Sequence, residues 1–415
     1  MKRPARISAA CALGSIVVAT AIASPASACS SVRHPTTVAR VTSSEDIAIA
    51  EAPGSGWWAV VSGLSSSPGS SEQLDLYRGE CSGRARRVRV LAGSGHSFLN
   101  AVVGAPRSGL PVAAWSETFD HGVRRAIAAV DGRRQVLGAG SSPPSLTVDV
   151  DGTATVAVAE AHGIRIWERA ASAPRFARRA TVASPAPLAT PAVLVGDRAG
   201  DRVLAWATSD GRVLAAHGRA GGGFDAPQTL QAAGPRDVEV AAAEGAGRRG
   251  VVVWRADGMI AAAERRGTAA FGAPVTLSSS AAPDEPPAVA IDRTGRAVIA
   301  AVQASGVPAV GTWLPGAAAA PLAPVPGAQA HSPVRVAIDA RGVARFVYSY
   351  RAPGATSDRW SQTTIAGDRT TTRVLFGRRA GVISVVLAPN SSFALWAGAA
   401  GVGRPTTARV GQLPA

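Results

Sequence analysis

The apolar residues of this chain fall in short runs separated by Gly, Asp, Pro and small polar residues. One stretch shows the pattern. Residues 192–195 are apolar, 197–200 read as a turn, and 202–207 form a second apolar run. Asp210-Gly211 is a two-residue hairpin signal before a third run, 212–217. Gly221 to Gly223 turn the chain into a fourth, 227–230. The following stretch repeats this order with Asp257-Gly258 as its hairpin. Phe224-x-x-Pro227 and Phe271-x-x-Pro274 mark the same turn into the fourth run. Each unit therefore reads as four short antiparallel strands. No segment of period 3.6 connects them, which excludes a βαβ repeat of Rossmann or TIM type.

The unit recurs along the chain. Val289-Ala290-Ile291-Asp292-x-x-Gly295 returns as Val336-Ala337-Ile338-Asp339-x-x-Gly342. Asp149 before Gly152 and Asp197 before Gly200 keep the same offset, as do Glu51 before Gly54 and Glu244 before Gly247. Pro106 and Gly109, then Leu387 and Asn390, hold those places in two further copies. The markers at 54, 109, 152, 200, 247, 295, 342 and 390 are spaced by 55, 43, 48, 47, 48, 47 and 48 residues. Six residues past the marker stand Trp115, Trp206 and Trp396, with Trp254 one place further on. Val60, Val158, Ala301 and Tyr348 fill that place elsewhere. A bulky residue once per unit at the end of an apolar run predicts a buried contact between units rather than a ligand platform.

Four strands in a unit of 40 to 50 residues is the pattern of a β-propeller blade. The expectation is an all-β propeller of about eight four-stranded blades, or seven if the irregular first unit is not a blade. Blades hide their faces by stacking into a ring. The last unit runs out of chain before its fourth strand, and residues 36–41 before the first unit are strand-like and unassigned. They are expected to complete the last blade as its outer strand, closing the ring and covering an exposed edge. One propeller domain would then span residues 29–415.

Composition adds a compartment. Of 415 residues, 47% are hydrophobic and 17% charged, which fits a chain with a real core. Lys2, Arg3 and Arg6 precede an uncharged apolar run at 9–23, and Ala26-Ser27-Ala28 fits signal-peptide cleavage. Residues 1–28 are read as an export signal, too short to span a membrane comfortably, and the product as secreted or held at the cell surface. The mature chain would begin at Cys29. Two readings of that residue stand side by side. It could carry a lipid, as in bacterial lipoproteins, although Ala26 stands where those signals usually have Leu. Alternatively it pairs with Cys81, the other cysteine of the mature chain, across the seam of the ring.

The net charge of +15 raises the question of a polyanionic partner. The only lysine is Lys2, and the arginines lie singly and in pairs with no cluster along the sequence. That reads as solvated surface in a chain of arginine-rich coding bias, and no nucleic-acid partner is expected.

The repeat resembles those of exported propeller proteins from high-GC, actinobacterial-type bacteria, in which Asp-x-x-Gly and a strand ending in Trp recur. It departs from WD repeats, which need Gly-His and Trp-Asp pairs, from the Gly-Gly doublets of kelch, and from the Asp-box of sialidases. The resemblance implies an architecture and no activity.

A search for chemistry returns little. Gly-x-Ser-x-Gly, His-x-x-x-His, Cys-x-x-Cys and a phosphate-binding loop are absent from the sequence, and no cofactor is implied. Polar residues expected on the loops joining strands two to three and four to one include His96, Glu117, Glu160, His162, Arg351 and Asp358. The densest are Asp120-His121 and Asp284-Glu285, with His331 nearby in kind. Asp284 and Glu285 could contribute to a calcium site. Two functions follow. The first is a monomeric binding or scaffold module for an extracellular protein or glycan. The second is a polysaccharide hydrolase or lyase whose site is assembled from several blades.

Overall fold

The computed structural model describes residues 36–412 except 42–46, 53–55, 65–71, 81–84, 94–96, 107–108, 119–123, 141, 198, 284, 326–327, 331–333, 340, 351–358, 367–368, 377–381, 388–392 and 400–405. The repeat unit folds into a four-stranded antiparallel sheet, eight times over. β1 (Thr36–Val41) comes first in the chain and belongs to the last sheet. Sheet 1 is β2 (Ile47–Ala52), β3 (Gly56–Leu64), β4 (Glu72–Gly79) and β5 (Ala85–Ala92). Sheet 2 is β6 (Ser97–Gly104), β7 (Val112–Thr118), β8 (Arg124–Val130) and β9 (Arg133–Ala139). Sheet 3 is β10 (Ser145–Val148), β11 (Ala154–Glu160), β12 (Gly163–Arg169) and β13 (Ala177–Ala183). Sheet 4 is β14 (Val193–Gly196), β15 (Asp201–Ala207), β16 (Val213–Arg219) and β17 (Gln228–Gln231). Sheet 5 is β18 (Val238–Gly245), β19 (Arg249–Ala256), β20 (Met259–Arg265) and β21 (Val275–Ser278). Sheet 6 is β22 (Ala288–Ile291), β23 (Ala297–Val302), β24 (Pro308–Trp313) and β25 (Ala323–Pro324). Sheet 7 is β26 (Arg335–Ile338), β27 (Ala344–Tyr350), β28 (Arg359–Ala366) and β29 (Arg369–Phe376). Sheet 8 is β30 (Val382–Leu387), β31 (Phe393–Ala399) and β32 (Thr406–Gln412), completed by β1.

The turns follow from the residues placed in them. Asp131-Gly132 and Asp257-Gly258 both hold positive φ at each position, the geometry whose twist matches two antiparallel strands. The Asp-x-x-Gly markers close the turn between the first and second strands. The Gly amide donates to the Asp carbonyl at 3.0 Å in Asp292–Gly295 and at 2.9 Å in Asp339–Gly342. Asp339 Oδ1 also accepts from the amides of Arg341 and Val343, at 2.9 and 3.0 Å. The long first spacing has a visible origin: β3 is nine residues long, and β6 shifts register between Leu99 and Val102, with Asn100 at φ 50°.

Among the described residues the core is a set of slabs between successive sheets from 1 to 7, with a further one between sheets 8 and 1. Alternation along a strand sends successive side chains to opposite neighbours. On β15, Leu204 and Trp206 join sheet 3, while Val203 and Ala205 join sheet 5. Trp115, Trp206 and Trp254 are at most 1% exposed, each packed on the preceding sheet. Trp206 Nε1 donates to Ser184 Oγ at 3.1 Å and Trp254 Nε1 to Gln231 Oε1 at 2.6 Å, both just at or after the preceding fourth strand. The repeated tryptophan is therefore a fixture of the interface between sheets, as its period suggests. The side chain of Trp396 lies outside the description.

β1 pairs antiparallel with β32, with Thr36 opposite Val410 and Val41 opposite Thr406. Val38 and Ala39 pack with Trp57, Leu395 and Val410, so sheet 8 lies back against sheet 1. The start of the chain supplies the strand that its end lacks, as the sequence suggests, and eight blades rather than seven are present.

Candidate functional site

Few of the residues singled out in the sequence fall among the described residues. Cys29, Cys81, His96, Asp120, His121, Asp284, His331, Arg351 and Asp358 lie outside the described residues. Of the rest, Glu117 is not on a loop. It is buried in β7, where its carboxylate accepts from Trp115 Nε1 at 3.3 Å and pairs with Arg134. It was misplaced because a polar residue at the end of an apolar run looks like the start of a loop. Glu160 ends β11 and pairs with Arg165 at 2.7 Å, and His162 sits exposed in the tight turn that follows. Glu285 is half-buried near Arg335 at the start of β26. Burial pushes the Arg335 pKa down to about 10, against the opposing pull of Glu285. Among the described residues no group of three His, Cys, Asp or Glu could hold a metal ion.

The densest ionic groups belong to the repeat itself. Arg202, 1% exposed, reaches from sheet 4 to Asp149 Oδ2 at 2.8 Å and Glu168 Oε2 at 2.7 Å in sheet 3. Asp201 meets His217 at 3.3 Å, Arg219 at 3.0 Å and, from sheet 5, Arg248 at 3.0 Å. Glu244, fully buried, pairs with Arg265 at 3.0 Å, and burial pushes its pKa up to about 8, with Asp197 and Asp201 adding to the rise. Arg249 and Arg296 bond the carbonyls of Gly295 and Gly342 in the next sheet. These groups sit at the ends of first, second and third strands; the bonds of Arg202, Arg248, Arg249 and Arg296 run between sheets, the others within one.

A cleft between sheets 2 and 3 differs. One wall is the hairpin of β8 and β9, contributing Ala128, Val130, Arg133, Arg134 and Val136. The other is the connection from β12 to β13, contributing Arg169, Pro174, Arg175 and Phe176. The cavity measures about 590 Å³, within the range of small-ligand pockets. Its floor is fixed by Gln135, whose Nε2 donates to the Phe176 carbonyl at 2.9 Å while its Oε1 accepts from the Phe176 amide at 2.8 Å. The same clamp joins Gln228 to Phe271 between sheets 4 and 5, at 2.7 and 2.8 Å. There the place of Val130 is taken by His217, held 3.3 Å from Asp225. The clamp is a repeated device, and what lines the cleft varies.

Three guanidinium groups face this cleft, those of Arg133, Arg169 and Arg175. Arg169, 8% exposed, is held by the carbonyls of Ala170, Ala171 and Ala173 at 3.2, 3.0 and 2.8 Å. Burial lowers its pKa from the usual arginine value, and its Nε has no partner among the described residues. Arg134, which lines the rim through its backbone, turns its side chain the other way, toward sheet 1, where Glu117 pairs with it and it lies 5.7 Å over the Trp115 ring. Arg133 and Arg175 are exposed and have no carboxylate partner among the described residues. The three arginines of the cleft thus meet no carboxylate among the described residues. Aliphatic and aromatic carbon supplies the rest of the lining.

No family model matches the sequence. No curated protein resembles it at the level of sequence. Solved structures of similar shape include the fucose-specific lectin from Aleuria aurantia, at 11% identity over 72% of this chain and 100% of that one, with a TM-score of 0.38. A polysaccharide lyase described as an ulvan lyase is 11% identical over 73% of this chain and 89% of its own, with a TM-score of 0.45. The WD40 domain of Toxoplasma gondii coronin is 13% identical over 75% and 81%, with a TM-score of 0.46.

Proposed function

We propose that the protein is an exported binding module whose ligand site is the cleft between sheets 2 and 3, and that the ligand is an acidic sugar. The observation that carries this reading is the meeting of Arg133, Arg169 and Arg175 around one cavity, none of them paired with a carboxylate among the described residues. A guanidinium is planar, permanently charged and matched to the two oxygens of a carboxylate or sulfate. Arg169 is immobilised by three carbonyls before any ligand arrives, so little freedom is lost on binding. Phe176, Pro174 and Val130 offer carbon surface to the C–H face of a sugar ring. Arginines hold an anion without exchanging protons near neutral pH, which suits retention rather than bond cleavage. The export signal read at residues 1–28 supports an extracellular ligand.

Calorimetry with trigalacturonate and with its methyl-esterified, uncharged counterpart tests the reading. The acid should bind and the ester should bind at least tenfold more weakly. Arg133→Ala/Arg175→Ala should lower affinity for the acid by a further 10- to 100-fold. Equal binding of acid and ester, or an unchanged affinity in the double variant, would overturn the proposal. Appearance of shortened or unsaturated sugar during the incubation would move the protein to the enzyme class.

A further inference from the structure

Seven of the arginines lie on the outer strands of the first three sheets, β5, β9 and β13. The fourth strand of each sheet is the outermost. In the first three sheets that strand opens with an arginine doublet: Arg86-Arg87 on β5, Arg133-Arg134 on β9 and Arg178-Arg179 on β13. The doublets are 47 and 45 residues apart, about one repeat, so stacking of the sheets sets them side by side. Arg78, Arg89 and Arg175 extend the same flank, and apart from Arg134 all these side chains are paired weakly or not at all. Arg87 is 3.5 Å from Asp75, Arg89 is 3.1 Å from Asp131, and Arg179 is 3.5 Å from Glu168. Arg86 and Arg175 have no carboxylate partner among the described residues. The outer strands of sheets 4, 5 and 6, by contrast, read Gln-Thr-Leu-Gln, Val-Thr-Leu-Ser and Ala-Pro, with no arginine, while β29 of sheet 7 has Arg369 and Arg373 and β1 of sheet 8 has Arg40, with no doublet. The doublets, far apart in sequence, recur at the period of the repeat.

We infer that the flank of sheets 1 to 3 is a docking surface for a linear polyanionic glycan, laid across β5, β9 and β13. This rests in part on reading the cleft between sheets 2 and 3 as an anion site, since that cleft is the middle station of the track. Nine arginines meet five acids at this surface, Asp75, Glu80, Glu117, Asp131 and Glu168. Such an excess suits a polymer charged at every residue more than a single anion. The large exposed apolar residues on the flank are Val88, Val90 and Val136. They give aliphatic contacts for sugar rings, whereas a single-stranded nucleic acid calls for exposed aromatic rings to stack against, and none is exposed on this flank among the described residues. Duplex DNA, held through its phosphates, is set apart by the comparison below. Arginine in place of lysine throughout favours two-point contact with carboxylate or sulfate groups.

Binding of dextran sulfate and polygalacturonate to the full mature chain tests the inference. Neutral dextran, double-stranded DNA and vesicles containing a third anionic lipid serve as comparisons. Affinity for the polymers should fall linearly with the logarithm of salt concentration, because each neutralised charge releases a counterion. Arg86→Ala/Arg87→Ala and Arg178→Ala/Arg179→Ala lie outside the cleft. Each should weaken polymer binding about tenfold and flatten the salt slope by about 1.5, at roughly 0.7–0.9 per lost contact. Neither should alter binding of trigalacturonate. Arg236→Ala/Arg341→Ala, on other sheets, should change nothing. Polymer binding that depends on Arg133 and Arg175 alone overturns the track and leaves the cleft standing. Loss of polymer binding in both outlying pairs, with no binding of the trisaccharide, supports the track and removes the cleft reading. DNA or vesicles bound as tightly as the glycans, or an equal loss in Arg236→Ala/Arg341→Ala, overturns the assignment to a glycan.

Discussion

Replacing Arg202 by methionine should strain the boundary between sheets 3 and 4 in a pH-dependent way. Arg202 is buried with Asp149 and Glu168, each 3% exposed, and gives one arm of its guanidinium to each. Methionine fills the aliphatic part of the space and leaves two acids without their shared cation. Glu168 keeps the Gly221 amide at 3.0 Å and Arg179 at 3.5 Å. Asp149 keeps no ion pair, and its Oδ1 already lacks a partner among the described residues. Removing one side of a buried pair generally costs about 3–5 kcal/mol, and the partial cover of Glu168 places this case near the lower end, about 3 kcal/mol near pH 7.5. Burial already raises the Asp149 pKa to about 6 while Arg202 pulls it down. Without Arg202 it rises further, so the folded variant binds a proton that the unfolded chain releases. A raised carboxylate gives stability at low pH that is lost as pH climbs through the folded pKa. The penalty should therefore shrink near pH 5. Urea unfolding followed by tryptophan fluorescence at about pH 5 and 7.5 measures both values. A loss below about 1 kcal/mol near pH 7.5, or the same loss at both pH values, would refute the reasoning. The triple variant Arg202→Met/Asp149→Leu/Glu168→Gln should recover most of the loss, because no orphan charge remains.

Three further outcomes follow from the fold. Trp206→Ala should cost about 3–5 kcal/mol in the same unfolding assay, since the ring is fully buried between sheets 3 and 4 and its indole N–H is satisfied there. Glu244→Gln should leave stability near pH 5 unchanged and raise it above pH 8. The wild-type carboxyl, with its pKa raised to about 8, favours folding when protonated and opposes it as pH rises, and thermal melts across pH 5 to 9 would show the two curves parting. Gly211→Ala should destabilise by clearly more than Gly258→Ala. Both positions have positive φ, but a Cβ at Gly211 runs into the Pro235 carbonyl oxygen, whereas at Gly258 nothing lies within 4 Å.

The architecture was readable because the repeat writes it several times. Gly109, Gly152, Gly200, Gly247, Gly295 and Gly342 all have positive φ, and each marks one passage from a first to a second strand. Trp115, Trp206 and Trp254 mark the burial of the strand that follows. The missing fourth strand of the last unit was a matter of chain length, so the role of residues 36–41 could be read as well. The sites were not readable in this way. The clamp between Gln135 and Phe176 joins residues 41 apart through backbone atoms, which leave no trace in side-chain pattern. Glu117 looked available because its partner Arg134 lies across a hairpin. The arginine doublets did carry a signal, their spacing of one repeat. It becomes visible once each doublet is assigned to a fourth strand rather than read as isolated charge.

The pairing of β1 with β32 has a consequence for the order in which the molecule assembles. Thr36 meets Val410, a separation of 374 residues, while neighbouring strands within one sheet meet across a short turn. By the usual logarithmic scaling, bringing such distant ends together costs roughly 3 kcal/mol more than closing a loop of a dozen residues. As the chain is synthesised, β1 is made first and must wait, edge unpaired, until the last strand appears. The seam is thus the final contact to form and the first to part, so amide exchange in β1 and β32 should be faster than at the boundary of sheets 4 and 5. Joining the two termini with a short linker and opening the chain at Gly221–Gly223 would move that weak point to sheet 4 and turn the present seam into one of the ordinary boundaries.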